Sequence, residues 1–397
     1  MGSTYVWNSP ETVVFGPGVV DELGTRVGRF DVDRALIVTD EGVRSVGIAQ
    51  RVVESLATAG IDAAVFDGVK PDPTDETVHR AADAYAEADA DGIVAVGGGS
   101  SIDAAKGASI IASNGGHVLD CEGYDEVDQP TPPTAYVPTT AGTGSEVSHW
   151  CIITNTKTDV KEEIGDLELL ADIALVDPEL TASAPPTVRA AAGMDALTHA
   201  VESFVSIRAQ PHTDALALDA VRLVGRFLTS AVESRDPPEA ALTGMAQASM
   251  QAGVAFNGAG NCAVHALAHQ VGSMFGVPHG VANAILLPYV MEYNALVVGE
   301  ELAQLAAALE GRDAPKRGPD AGTEAVNAVC RLRDAVRIPE TLAETSAERS
   351  AIGKMADRAM DDGCIPNNPR RASHDDLEEL LRRAFDGELR YGSVLSD

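Results

Sequence analysis

The 397-residue chain is expected to fold as an α/β domain followed by an all-helical domain. Short β-branched runs alternate with helical stretches through the first half. From about Ala190 the strand-like runs stop, and Ala/Leu-rich helical periodicity continues to the end. Between the two halves, Ala184-Pro185-Pro186 interrupts regular pairing, because proline lacks the N–H that helices and ladders use. The domains therefore divide as residues 1–185 and 186–397. A chain of this length exceeds one small core, and its 45% hydrophobic content supplies material for two.

Arg34-Ala-Leu-Ile-Val-Thr39 has the continuous apolar character of a buried strand, with a helix expected over Val43–Ala59 and a strand at Asp62-Ala-Ala-Val-Phe66. A helix near Thr77–Ala88 leads to the strand Gly92-Ile-Val-Ala-Val96, and Thr134-Ala-Tyr-Val-Pro138 follows later. Strands separated by helices of this length give a parallel sheet covered on both faces. In the second half, breaks are expected at Asp236-Pro-Pro, Val277-Pro, Leu287-Pro and Gly311–Gly322, where Arg312–Gly322 has the composition of a polar, mobile surface loop. No internal repeat is present.

Strand 93–96 runs into Gly97-Gly98-Gly99-Ser100-Ser101, and Ile102-Asp103-Ala-Ala-Lys106-Gly continues as a helix. Glycines at a strand end let backbone N–H groups approach a phosphate, and the following helix N-terminus adds partial positive charge. The run is not GxGxxG, and a tight strand-to-helix turn is the plainer alternative. A second polar turn, Pro138-Thr139-Thr140-Ala-Gly142-Thr143-Gly144-Ser145-Glu146, follows another strand. Two such loops at strand C-termini of one parallel sheet face the same crevice and point to a nucleotide. Asp40, at the end of the first full strand, either accepts from ribose hydroxyls and repels a 2′-phosphate, favouring NAD over NADP, or caps the next helix.

Metal-type ligands gather in the second half. Asp195-Ala-Leu-Thr-His199 places a carboxylate and an imidazole on one helix face, and His265-Ala-Leu-Ala-His269 does the same with two imidazoles. Pro278-His279 puts a further His at the start of the next helix. A lone helical His is usually an ordinary core or surface residue. Five candidates in an Ala/Val/Leu background differ, because buried imidazoles and carboxylates cost several kcal/mol unless paired or metal-bound. Three His and one Asp form a mixed N/O set for Fe²⁺, Zn²⁺, Co²⁺ or Ni²⁺. Spacing alone leaves open whether His265 or His269 is the ligand.

With these motifs in place, the chain resembles the iron-containing, or group III, alcohol dehydrogenases over almost its whole length. The resemblance rests on Phe15-Gly-Pro-Gly18, Gly97–Ser100 with Asp103 and Lys106, Pro138–Glu146, Asp177-Pro-Glu-Leu180, Gly193–His199, the His265/His269/His279 series and Asn368-Pro-Arg370. His-x3-His-x9-His combined with Asp-x3-His is its most specific part. The resemblance implies a Rossmann-like N-terminal domain and an all-α C-terminal domain, the dehydroquinate synthase-like architecture, with the active site in the cleft between them. It implies that Asp195, His199, His265 and His279 bind one divalent metal, Fe²⁺ first and Zn²⁺ second, while His269 stands beside nicotinamide and substrate. It also implies NAD contacts from Asp40, Gly98, Gly99, Ser100, Asp103, Thr139, Thr140, Thr143, Lys161 and Leu180.

Departures from the family pattern are Asp72, where Asn is common, and Asn261-Cys262, where Leu-Gly is common, which makes that wall of the pocket more polar. Trp150, Phe256 and Cys364 resemble substrate-pocket positions. The implied reaction is reversible hydride transfer between a small alcohol and NAD⁺, giving an aldehyde or ketone, with His269 relaying the proton. Within the family, lactaldehyde reduction and hydroxyacid–oxoacid transhydrogenation are the alternatives. A non-catalytic nucleotide- or metal-binding protein is the remote one. Members of the family are often dimers or larger homo-oligomers.

The balance of 60 Asp and Glu against 29 Lys and Arg, a net −31, excludes nucleic acid and anionic membrane as partners, because their phosphates are repelled. The five cysteines form no CxxC pair and fit buried thiols rather than a disulfide framework or Cys-type zinc site. No long apolar run and no basic-then-apolar leader is present, so a cytoplasmic protein is expected. Acidic residues are spread along the whole chain, and their self-repulsion in dilute salt points to a halophilic protein from a salt-rich cytoplasm. The melting temperature is expected to rise between low and molar KCl, which a thermal scan across that range checks.

Overall fold

The computed structural model describes residues 4–313 and 321–390. The chain divides into two compact units, Asn8–Ala184 and the residues from Pro185 onward, the latter joined by the N-terminal residues through Trp7. Those N-terminal residues were expected in the α/β part. The Trp7 ring instead lies 5.0 Å from that of His212 in the helical unit.

The first unit contains β1 (Thr12–Phe15), β2 (Arg34–Asp40), β3 (Asp62–Val69), β4 (Gly92–Gly97), β5 (Gly123–Tyr124), β6 (Thr134–Pro138), β7 (Trp150–Asn155), β8 (Val160–Gly165) and β9 (Ile173–Val176). Its helices are α1 (Leu23–Val27), α2 (Glu41–Ser45), α3 (Ile48–Thr58), α4 (Asp75–Glu87) and α5 (Gly99–Asn114). Six strands form a parallel sheet in the order β1-β9-β6-β4-β2-β3, and β5-β8-β7 form a small second sheet. The middle of β2, Ala35–Val38, is fully buried, as a strand covered on both faces must be. Helix α3 buries Ile48, Ala49, Val52 and Leu56 on one stripe against that core. The helix expected over Val43–Ala59 is two helices, because Gly47 adopts a left-handed φ of 84° and ends the first.

The second unit is helical, with no strand among its described residues. It comprises α6 (Pro186–Val205), α7 (Pro211–Glu233), α8 (Glu239–Ala259), α9 (Ala263–Phe275), α10 (His279–Asn294), α11 (Gly299–Leu309), α12 (Ala321–Ala335), α13 (Ile352–Met360) and α14 (His374–Asp386). The break expected at Leu287-Pro288 is absent, and Pro288 lies inside α10. That helix is buried on almost every side, so tertiary packing outweighs the one ladder hydrogen bond that proline removes. Of the mobile loop expected over Arg312–Gly322, residues 314–320 lie outside the described residues. No described helix is long and apolar enough to cross a membrane.

One close approach sets the register of α10 on α6. A Cβ on Gly280 would stand 2.2 Å from the Ala191 carbonyl oxygen, so only glycine lets the two backbones meet there. Gly280→Ala is expected to force α10 outward and destabilise this unit by about 1–3 kcal/mol, measurable as a lowered urea midpoint.

Candidate functional site

In the α/β unit, β4 and β6 are neighbours, with Gly97 paired to Pro138, so both polar loops leave the same end of the sheet side by side. The Thr139 N–H donates to the Gly97 carbonyl at 2.9 Å and joins the loops at their roots. The glycine run also admits neighbours from the second loop. A Cβ on Gly98 would lie 3.3 Å from Thr140 Oγ1, and one on Gly99 would lie 3.0 Å from Thr143 Cγ2. Asp40, on the adjoining β2, uses Oδ1 to cap α2 at the Val43 N–H, while Oδ2 lies 3.4 Å from Ser101 Oγ. Ser100, the second residue of α5, is half-buried at the opening of that helix.

Lys106 holds the second loop against α5. Its buried Nζ donates to the carbonyl oxygens of Ser145, Ser148 and Trp150 at 2.7–2.8 Å. Burial lowers its pKa, and Asp103 opposes the shift. Burial also pushes the Asp103 carboxyl up to about 6 and Glu146 up to about 7, with Lys106 pulling both back. Lys161 is paired with Asp72 at 2.6 Å, so the departure at position 72 supplies a counter-charge. Leu180 packs in the core, and Trp150 packs across Gly165, its register partner on β8.

In the helical unit, α6 carries Asp195, His199 and Glu202 at i, i+4 and i+7, all buried. Helix α9 brings His265 and His269, and α10 opens with His279. Ligand atoms of Asp195, His265 and His279 lie within 4.8 Å of one another. Their lone pairs converge on the Asn283 amide, whose Nδ2 is 2.7 Å from Asp195 Oδ1, 3.2 Å from His265 Nε2 and 3.1 Å from His279 Nε2. An amide has two hydrogens for these three acceptors, so the donor set suits a divalent cation. His199 stands beside the trio. Its ring stacks on His265 at 4.6 Å and on Phe256 at 4.5 Å, and its Nδ1 is 4.0 Å from Asp195 Oδ2.

The two histidines of α9 are oriented differently. His265 Nδ1 meets Glu202 Oε2 at 2.6 Å, leaving Nε2 toward the trio. Burial and the neighbouring His199 hold its pKa well below the usual 6.5, so it is a neutral lone-pair donor. His269 Nδ1 meets Asp362 Oδ2 at 2.9 Å, and His269 is not among the three converging ligands. Burial pushes the Asp362 carboxyl up, but His269 and the Cys364 N–H outweigh it and hold its pKa below the usual value. Cys364 is buried next to this carboxylate, and the Asn261 carbonyl accepts from Asn367 Nδ2 at 2.9 Å.

Glu202, Asn283 and Asp362 do not figure in the motif reading. Glu202 lies three residues past His199 and Asn283 four past His279, spacings that place them on the faces of candidate ligands. Asp362 follows α13 and carries no comparable signal.

Residues 10–178 match the family model described as iron-containing alcohol dehydrogenase, and residues 189–385 match that of the Fe-containing alcohol dehydrogenase family, C-terminal. The chain belongs to the iron-containing alcohol dehydrogenase family. It is similar to a 1,3-propanediol dehydrogenase of Citrobacter freundii, 40% identical over 95% of this chain and 97% of the other. An NAD-dependent methanol dehydrogenase of Bacillus methanolicus is 36% identical over 95% of this chain and 98% of its own. The crystal structure of a 1,3-propanediol oxidoreductase superimposes with a TM-score of 0.93 at 39% identity, covering 96% of this chain and all of the other. The protein is an enzyme, an NAD-dependent oxidoreductase interconverting alcohols and aldehydes, and its family uses a divalent metal.

Glu146 makes the α/β unit sensitive to pH. Its carboxyl rises from 4.5 to about 7 on folding, so its contribution to stability is full below about pH 4.5 and is lost as pH climbs through about 7. Relative to Glu146→Gln, the wild type is expected to lose about 3 kcal/mol between pH 4 and pH 8, the worth of that shift. Denaturant unfolding of both proteins at the two pH values in high KCl measures it.

Proposed function

We propose that this enzyme oxidises a small alcohol and reduces the matching aldehyde or ketone, with Asp195, His199, His265 and His279 holding the metal and His269 relaying the proton. The convergence of Asp195, His265 and His279 in a chain of this family carries the reading. When bound, the metal supplies Lewis acidity toward the substrate oxygen and NAD accepts the hydride. His265, neutral by burial, offers a lone pair without competing for a proton, and Asp195 supplies negative charge in an apolar unit. Asp362, meeting His269 Nδ1 at 2.9 Å, orients the ring and steadies the imidazole as it takes up a proton from the alcohol. Phe256, Asn261 and Cys364 are the residues of this unit proposed to meet substrate.

For the α/β unit, the proposal gives the diphosphate to the main chain of Gly98, Gly99 and Ser100 and to the hydroxyls of Thr139, Thr140 and Thr143. Asp40 receives the ribose hydroxyls and disfavours NADP. Asp103, Lys161 and Leu180 complete the NAD contacts. The net charge of −31 supports a salt-rich cytoplasm, and kinship with the family supports a homodimer or larger assembly.

An NADH absorbance assay over a panel of alcohols and aldehydes in molar KCl tests this. Chelated enzyme is expected to be silent, and Fe²⁺, Zn²⁺ or Mn²⁺ to restore it. His269→Ala is expected to lower turnover on the order of a hundredfold and to alter the pH–rate profile. Silence with every metal would overturn the catalytic reading, and an unaltered profile and turnover in His269→Ala would remove the relay.

A further inference from the structure

We infer that Glu202 is a positioning residue that decides which nitrogen of His265 is offered to the metal; the inference rests on the proposed role of His265 as a ligand. Both side chains are almost fully buried, and their contact is short at 2.6 Å. Glu202 also accepts the Cys262 N–H at Oε2, 3.0 Å, and the Val264 N–H at Oε1, 2.7 Å. These N–H groups belong to the start of α9, which has no side-chain cap of its own. Glu202, on α6, therefore takes the place of the missing cap from 60 residues upstream.

That duty settles the proton. Burial pushes the Glu202 carboxyl up to about 7, while the Cys262 and Val264 N–H groups draw it back toward the acceptor form; with both oxygens accepting, His265 Nδ1–H donates and the Nε2 lone pair faces outward. Nε2 then points to the place where Asp195 Oδ1 and His279 Nε2 also converge. The ring cannot turn over without breaking the Glu202 bond in a dry interior, where an unmade hydrogen bond is costly. An acceptor holding Nδ1–H at 2.6 Å also raises the basicity of Nε2, strengthening its bond to a cation. A cap and a ligand orienter are thereby one group, which explains why a glutamate survives at this depth.

Cobalt(II) is the probe, because its visible d–d absorption reports ligand geometry independently of turnover. Apo wild type and Glu202→Gln are titrated with Co²⁺ against a competing chelator, with far-UV circular dichroism as the fold check. The glutamine keeps the size of the side chain but sets an amide N–H₂ against one of the three donors. Its Co²⁺ affinity is expected to fall about ten- to a hundredfold, with a displaced d–d band. Wild-type affinity and a superimposable band in a folded Glu202→Gln would overturn the inference and show Glu202 to be a helix cap alone. If Glu202→Gln does not fold, Glu202→Asp decides. Its shortened carboxylate is expected to weaken Co²⁺ binding, and wild-type affinity would overturn the inference. Failure of the wild type itself to take up Co²⁺ would overturn the metal reading and this inference with it, an outcome distinct from equal binding by both proteins.

Discussion

The helical unit depends on one constraint: polar groups placed among alanine, valine and leucine must find partners inside the protein. Asp195, His199, Glu202, His265 and Asn283 are all nearly inaccessible. Left alone, each would cost free energy comparable to a lost hydrogen bond or more. The cost is met by sharing. Glu202 serves the start of α9 and the ring of His265 together, while the two hydrogens of the Asn283 amide fall one short of Asp195 and the two imidazoles that face it. Close backbone contact at Gly280 keeps α10 near enough to α6 for that sharing to hold.

The α/β unit solves the same problem with a cation. Lys106 is buried as an ammonium surrounded by three carbonyl oxygens, and the residues supplying them span the end of the second polar loop and the start of β7. Loop and helix are thus tied through the interior. The glycines of the first loop contribute by leaving room for Thr140 and Thr143, a packing role distinct from access for a phosphate.

Much of this was legible in the chain, for reasons that differ by element. Strands β2, β4 and β6 announce themselves because burial on both faces demands unbroken apolar runs. Strand β8, with Lys161, Glu162 and Glu163, carries no such run, whereas β9 carries one in Ile173–Val176, buried throughout, that the sequence reading passes over. Gly47 and Pro288 mislead in opposite directions: a glycine inside an apparent helix ends it, whereas a proline inside a buried one does not. Of the candidate ligands, spacing reveals the types but not the choice between His265 and His269. Family resemblance makes that choice in the sequence. In three dimensions the two rings differ in which carboxylate holds Nδ1 and in where Nε2 is directed, and one of those carboxylates, Asp362, lies 93 residues from its histidine. Such a pairing is a product of the fold and leaves no local pattern.

Asp40 gives the α/β unit a coupling of a different kind. One oxygen terminates β2 by starting α2, while the other approaches the first hydroxyl-bearing turn of α5. Replacing this side chain with one that has no capping oxygen, such as alanine, would unfasten the helix behind it, at a cost of about 1 kcal/mol. A change of the charge at position 40 is therefore tied to local stability. Asparagine or serine, which retain a capping oxygen without the charge, are the natural starting points.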